Sequence, residues 1–360
     1  MEKIIRSFSP VLLAMVLILL SACGSADSTD ANTDSNEKES NDKKIKIGVA
    51  MKTEVQPRWK FEVGVMEELA NEHNAEIIVQ WANDDVTKQG NQIENLLSQG
   101  IDALIVVPVT DKIGPFIQSA KNEGIPVVSY DAIPVEADID LFVTRDNYKV
   151  GEIQSEYALD YTDGKGNFVV LKGDPATTVA QGIAEAYEEL LVPNTDINIV
   201  ADQWHQNWST EEALKTAENA LSAQEDNIQA FVSSSDGIAM GVAQAVKGRG
   251  LDGKVFISGL DVELGSAKLI AEGTQTMSVW TMIDDQAEKA LLGAISLIKG
   301  EEIDADGSVD NGLKEVPAIY SDVIAVDQSN LCEFIDEIAP EGWVTAEEVF
   351  EGLTIPSECQ

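Results

Sequence analysis

Arginine is scarce in this 360-residue chain, standing only at Arg6, Arg58, Arg145 and Arg249. Arg58 is followed directly by Trp59. Asp131, Arg145-Asp146-Asn147, Thr177-Thr178, Trp204, Trp208, Ser235-Asp236, Asp261 and Trp280 each stand at or just beyond a short apolar run. Carboxylates and guanidinium groups make strong, directional hydrogen bonds to adjacent hydroxyls. Flat indole rings cover apolar C–H faces and exclude water at little entropic cost. Arg58, Trp59, Asp131, Trp208 and Asp261 are therefore the ingredients of a site for a polyhydroxylated ring, that is, a sugar. Each has a plainer role when taken singly. An Asp after a strand often caps a helix, as Asp236 could, and a Trp is commonly a core residue. Their joint occurrence at run ends is what favours a binding site.

Other chemistries find little support. His73 and His205 are the only histidines. No serine elbow, phosphate-cradling glycine loop with lysine, or cluster at metal-ligand spacing occurs. No Gly-x-Gly-x-x-Gly follows the first apolar run. The expectation is a binding protein with no cofactor, no metal and no catalytic residues.

The runs that carry these residues alternate with amphipathic segments. Strands are predicted at 45–50, 75–80, 103–108 and 126–130, each continuously apolar and bounded by Gly, Pro, Asn or Asp, as in a parallel sheet covered on both faces. Helices are predicted between them at 58–73, 87–99 and 114–123, the last two stopping at Gly100 and Gly124. The pattern restarts after Asn147, with helices at 148–161, 178–191, 210–223, 237–247, 264–271 and 284–299. The matching strands are 167–172, 198–201, 230–234, 255–258, 276–280 and 323–326. Ser209-Thr-Glu-Glu212 fits a capping box. The class is α/β, with two doubly wound parallel-sheet lobes joined by a hinge of three strands near 145, 280 and 320. The expected division is 45–145 plus 281–320 for the N-terminal lobe and 146–280 plus 321–360 for the C-terminal lobe. Ligands of open parallel sheets sit beyond the carboxyl ends of the strands, which is where the singled-out residues fall.

The ends of the chain indicate its location. Lys3 and Arg6 precede an apolar run that ends in Leu20-Ser21-Ala22-Cys23, the form of an export signal over 1–22. The final tetrad resembles a lipobox, which would make Cys23 the lipidated first residue of the mature chain, anchored outside the cytoplasm. Residues 23–44 are almost entirely polar and are expected to form a disordered tether. Sixty-three acidic against 24 basic residues give a net charge of −39, which argues against nucleic acid and phosphate-rich ligands. Cys332 and Cys359 would meet an oxidising compartment after export; a disulfide and two free thiols both stand as readings.

The dispersed set Arg58-Trp59, Gln92-Ile-Glu-Asn95, Tyr130-Asp131, Ala137-Asp-Ile-Asp140, Asp146-Asn147 with Lys149-Val-Gly151, Asp202-Gln-Trp204 with Trp208, Gly273-Thr-Gln-Thr-Met277 and Asn311-Gly-Leu-Lys314 resembles the xylose-binding proteins of bacterial sugar uptake systems, within the ribose/galactose-type periplasmic binding family. The likeness covers nearly all of 45–326. It implies a type I periplasmic binding fold, acting as a monomer, that closes on a small sugar between its lobes and presents it to an ABC permease. A sugar sensor signalling to a membrane kinase or chemoreceptor is the alternative. It also implies that Arg58, Trp59 and Trp208 surround the sugar and that Asp131 and Asp261 are acidic ligands. Arg145, Asn147, Thr177, Ser235, Asp236 and Trp280 complete the expected contact set. The chain departs from the family at Ala132, Thr177, Val179, Ser235 and Thr281, where polar or charged residues are usual, and at Arg145, where an aromatic residue is common. A hydroxyl left facing Ala132 or Val179 would lose a partner, at roughly 1–3 kcal/mol each. The resemblance implies a xylose-like pentose or related sugar; the departures speak against xylose in the family's pose and leave a larger, less hydroxylated or differently posed sugar open, with Arg145 expected to supply the guanidinium lost elsewhere.

Overall fold

The computed structural model describes residues 44–359. The expected export signal over 1–22, and Cys23 with its tether, lie outside the described residues apart from Lys44 at the tether's end.

The first half folds as β1 (Ile45–Met51), α1 (Pro57–Glu72), β2 (Ala75–Trp81), α2 (Val86–Ser98), β3 (Ala103–Val106), α3 (Gly114–Asn122), β4 (Val127–Tyr130) and β5 (Leu141–Arg145). The second comprises α4 (Asn147–Tyr161), β6 (Gly166–Lys172), α5 (Thr178–Leu190), β7 (Ile197–Trp204), α6 (Thr210–Ala223), β8 (Ala230–Ser233), α7 (Asp236–Gly248), β9 (Phe256–Ile257), α8 (Leu264–Ala271) and β10 (Met277–Trp280). Then come α9 (Ile283–Lys299), β11 (Gly307–Asp310), β12 (Glu315–Ser321) and β13 (Ile324–Asp327). The α/β class and its two parallel-sheet cores are as expected.

The helices form where composition and caps allow. Asp85 accepts from the Lys88 amide at 2.9 Å to open α2, which turns Ile93, Leu96 and Leu97 into the core and stops before Gly100, at φ +71°. Ser209 opens α6 by accepting from the Glu212 amide at 3.2 Å, as the capping-box pattern predicts.

The first sheet has the order β2-β1-β3-β4-β5-β12-β11. It is parallel except for the β11–β12 hairpin. The second is parallel, ordered β7-β6-β8-β9. A parallel bridge between Leu260 and Val279 ties it to the antiparallel pair β10–β13. The two halves thus repeat one winding order. The central strands are buried throughout, as in Ala103–Val106 and Ala230–Ser233, so each core is a sheet sandwiched between helix layers. The chain passes between the halves at 145–147, returns at 280–283 before α9, whose Ala287, Ala290 and Leu291 pack on the first sheet, and passes again at 321–324.

Two regions differ from the sequence reading. Only the part of the β11–β12 hairpin near 320 is predicted; β11 is largely exposed and carries no apolar pattern. After β13 the chain makes short helical turns at Leu331–Glu333, Phe334–Ile338 and Ala346–Val349. They cover Trp280, Val262 and Ile270 with Phe334, Val344, Val349 and Phe350. Cys332 and Cys359 are disulfide-bonded, with Cα atoms 4.9 Å apart, which resolves the alternative left open above.

Candidate ligand-binding cleft

The carboxyl ends of both sheets face a shared cavity of about 270 Å³. That is near the lower bound of small-molecule sites, about 300 Å³, so it suits a compact ligand. Arg58, Trp59, Asp131, Arg145, Thr177, Trp208, Ser235, Asp236 and Asp261 all line it.

Asp131 and Asp261 occupy equivalent places. Each leaves a strand end in the left-handed region, at φ +68° and +93°. Each amide is held by the strand beside it, Asp131 N–H donating to Val143 O and Asp261 N–H to Val279 O, both at 2.8 Å. Such backbone is strained for a non-glycine residue and persists only where the surroundings hold it. Here it turns two carboxylates out of the sheet ends.

Arg58 links the two. Pro57 occupies the first turn of α1, where a missing amide costs nothing, and the helix brings Arg58 and Trp59 to the cavity. Arg58 donates from Nη1 to Asp261 at 3.0 Å and from Nε to Glu62 at 2.6 Å; Nη2 lies 3.3 Å from Asp131. Its guanidinium lies over the Trp59 ring, 4.4 Å from the centroid. Arg145 donates to Asp131. Tyr130 donates to Glu62 at 2.5 Å. Burial pushes the Asp131 carboxyl up, but Arg145, Arg58 and Lys52 outweigh it and hold it below the usual range. Glu62, equally buried, is pushed up to about 7.

Trp208 sits on the opposite wall. Asn207 and Trp208 are both left-handed, at φ +53° and +56°, and Asp174 fixes the turn by accepting from the Asn207 amide at 2.8 Å. The ring lies against Gly173, where a Cβ would meet it at 2.2 Å. Among the described residues its Nε1 has no acceptor although it is buried.

Other predicted contacts take protein partners. Thr177 caps α5 by accepting from the Ala180 amide at 3.3 Å, and Ser235 caps α7 by accepting from Ile238 at 3.3 Å. Asp236 accepts from the Glu263 amide and from Ser278 Oγ, both at 2.7 Å. It joins α7 to the loop after Asp261, and burial raises it to about 7.

Two predicted residues are not brought in. Trp280 is fully buried; its ring packs on Phe334 and Trp343, at 5.2 and 5.5 Å. A strand-end Trp turns inward here because the C-terminal segment gives it an apolar partner face. Asn147 lies in the first turn of α4 and lines a separate cavity beside the crossing strands, with Tyr148, Gly182 and Ser321. Trp204 is also outside, 39% exposed, with Lys172 over its ring.

Two wall residues escape the sequence reading. Lys52, 8% exposed, follows β1; its Nζ stands 5.4 Å from the Trp59 centroid, and no carboxylate of the described residues pairs with it. Burial lowers its affinity for a proton. Glu263, 9% exposed, is raised to about 8 by burial, then by Asp236 and Asp261. Lys52 directly follows a strand end, so the rule that singled out Asp131 applies to it equally. Glu263 stands two residues past Asp261, outside that rule.

Fold and site together define a two-lobed binding protein with its ligand site at the sheet ends. The chain belongs to the periplasmic binding protein family: the family's periplasmic binding protein domain matches residues 47–302. It is 37% identical over 312 residues to the D-xylose-binding periplasmic protein of Haemophilus influenzae, covering 86% of this chain and 93% of that one. It is 38% identical over 293 residues to the D-xylose-binding periplasmic protein of Escherichia coli K12, covering 80% and 88%. An ABC transporter solute-binding protein from Clostridium phytofermentans, solved with bound β-D-glucose, superposes with a TM-score of 0.78 at 25% identity, covering 84% of this chain and 99% of that one. Like these relatives, the chain is a binding protein and not an enzyme.

Proposed function

We propose that the chain is the substrate-binding lipoprotein of an ABC-type sugar uptake system, closing on one monosaccharide, a xylose-like pentose or related sugar. The observation that carries this is one cavity lined by Trp59 from α1, Trp208 from the loop after β7, and the charged group Arg58, Asp131, Arg145 and Asp261 from both halves. The D-xylose-binding names of two relatives support the substrate class. In this reading Trp59 and Trp208 cover the ring faces. Asp131, Asp261, Arg58 and Arg145 bond the hydroxyls, with Lys52 and the free Trp208 N–H as additional donors. Thr177, Ser235 and Asp236 shape the wall.

Residues 45–145 with 281–320 move against 146–280 with 321–360 about the three crossings. A ligand that bonds both halves favours closure by its differential affinity for that state. The closed monomer is what a permease receives. Leu20-Ser21-Ala22-Cys23 supports processing after Ala22 and a lipid anchor on Cys23. Mass spectrometry of ligand released from purified protein, with a thermal-shift panel of pentoses, hexoses and disaccharides, tests the reading. A monosaccharide shift with D-xylose or a close relative is expected; no response to any carbohydrate would overturn it.

A further inference from the structure

The C-terminal segment reaches the cleft from behind. Trp343 donates from Nε1 to the carbonyl of Val262 at 3.0 Å. Val262 is fully buried and left-handed, at φ +46°, directly after Asp261 at φ +93°. Two consecutive non-glycine residues in that region need surrounding bonds to persist. The Asp261 amide is held by Val279 O and the Val262 amide by Ser278 Oγ at 3.2 Å. The Trp343 bond secures the carbonyl that ends the turn. The other side of the Trp343 ring meets Phe61 edge-on, with centroids 5.5 Å apart. Phe61 belongs to α1, three residues beyond Arg58. One indole therefore contacts both elements that supply the Arg58–Asp261 ion pair. The Cys332–Cys359 disulfide encloses it.

We infer that Trp343 is a positioning residue for the ligand site, fixing the turn that aims Asp261 and bracing that turn against α1 when the halves are together. It touches no ligand. It acts through the Val262 carbonyl and through Phe61, and the disulfide keeps the segment in place. The inference rests on the sugar-binding reading only for its affinity consequence; its backbone consequence stands apart.

The test uses full-length protein carrying Trp343→Phe, which keeps an aromatic ring but removes the N–H. Hydrogen-exchange mass spectrometry without ligand is expected to show at least tenfold faster exchange at 259–264, with the β1–β4 sheet unchanged. D-xylose titration is expected to show a five- to tenfold weaker Kd. Phe61→Leu, which leaves the C-terminal segment untouched, is expected to weaken D-xylose two- to threefold with exchange at 331–359 unchanged, and it serves if Trp343→Phe does not fold. Unchanged exchange at 259–264 in Trp343→Phe, or an unchanged Kd in both variants, overturns the inference. If the wild-type protein ignores D-xylose and every other sugar, the functional proposal fails and the exchange measurement alone decides the role of Trp343.

Discussion

Gly173→Ala tests the indole wall without altering any polar group of the cleft. Gly173 has no left-handed backbone that would exclude a side chain, yet a Cβ there would lie 2.2, 2.3 and 2.6 Å from Cζ3, Cη2 and Cε3 of Trp208. Carbon atoms settle at about 3.5–4.0 Å, so the ring must withdraw by at least roughly 1.3 Å. These atoms belong to a rigid ring whose turn is held by Asp174 at Asn207 and by His205 O at Trp208, so the ring must leave its place in the cavity wall. An indole buries about 150–250 Å². If about 50 Å² of that faces a sugar, losing the contact costs roughly 1.3 kcal/mol at 25 cal/mol per Å², or about tenfold in Kd. The assay is titration of the protein's sugar by calorimetry or intrinsic fluorescence, in wild type, Gly173→Ala, Trp208→Ala and the double variant. Because the two residues touch, the effects are expected to be strongly non-additive, with Gly173→Ala nearly neutral once the ring is absent. Full additivity, or a Gly173→Ala protein that binds as wild type does, would refute the placement of Trp208 at the ligand.

Three further outcomes follow from the charges. Lys52→Met is expected to weaken sugar binding about tenfold, the scale of a hydrogen bond to a charged donor, while raising the ligand-free melting temperature by removing an unpaired buried ammonium; unchanged affinity would exclude Lys52 as a donor. Arg145→Ala leaves Asp131 with one guanidinium fewer, so both a lower melting temperature, on the scale of about 3–5 kcal/mol for a broken buried pair, and weaker binding are expected, and intact affinity would remove Arg145 from the site. Burial raises Glu62 and Asp236 to about 7 and Glu263 to about 8, so the folded chain binds more protons than the unfolded chain between their ordinary and raised values, and stability falls as pH rises through about 4 to 8. Melting temperatures across that window are expected to decline, more gently in Glu62→Gln and Asp236→Asn; a wild-type profile that rises throughout contradicts the burial of these acids. His205, lowered by burial, opposes this trend only below about pH 6.5.

Much of this was legible in the chain because one rule did most of the work. Continuous apolar strands and Gly-terminated helices mark the alternating units, and residues just past the strands face a common edge. Arg58, Asp131, Trp208 and Asp261 follow from that rule together with their chemistry. Trp280 obeys the same rule and still turns inward, because direction at a strand end depends on what packs beyond it, and residues 331–359 carry too little periodicity to show that they fold back there. Asn147 fails for a related reason: it opens α4, on the crossing-strand side of the halves rather than at the sheet ends. The β12 strand left a weak trace, Val316 and Ala318 alternating with exposed Glu315 and Pro317, whereas β11 left none. Lys52 obeys the same rule, but a single lysine after a strand is ordinarily solvated, so its type alone carries no signal.

Two half-sites make up the cleft. Asp131 and Asp261 are each aimed by a left-handed residue whose amide is tied to the neighbouring strand, in one half by Val143 and in the other by Val279. Each half therefore sets the backbone turn that aims its own carboxylate. What joins them is Arg58, 3.0 Å from Asp261, together with the Asp111 amide donating to Ala176 O at 3.1 Å and the Ile133 amide donating to Thr178 Oγ1 at 3.3 Å. These contacts cross between the halves using protein groups alone, so part of the closing free energy is internal to the chain. A ligand need supply only the remainder, through Arg58 Nη2, Arg145 Nε and the Trp208 N–H, which have no hydrogen-bond partner among the described residues, and through the faces of two indoles. A hydroxylated ring with one apolar face offers acceptors to those donors, whereas a purely apolar ligand would bury them without partners and lose roughly 1–3 kcal/mol at each.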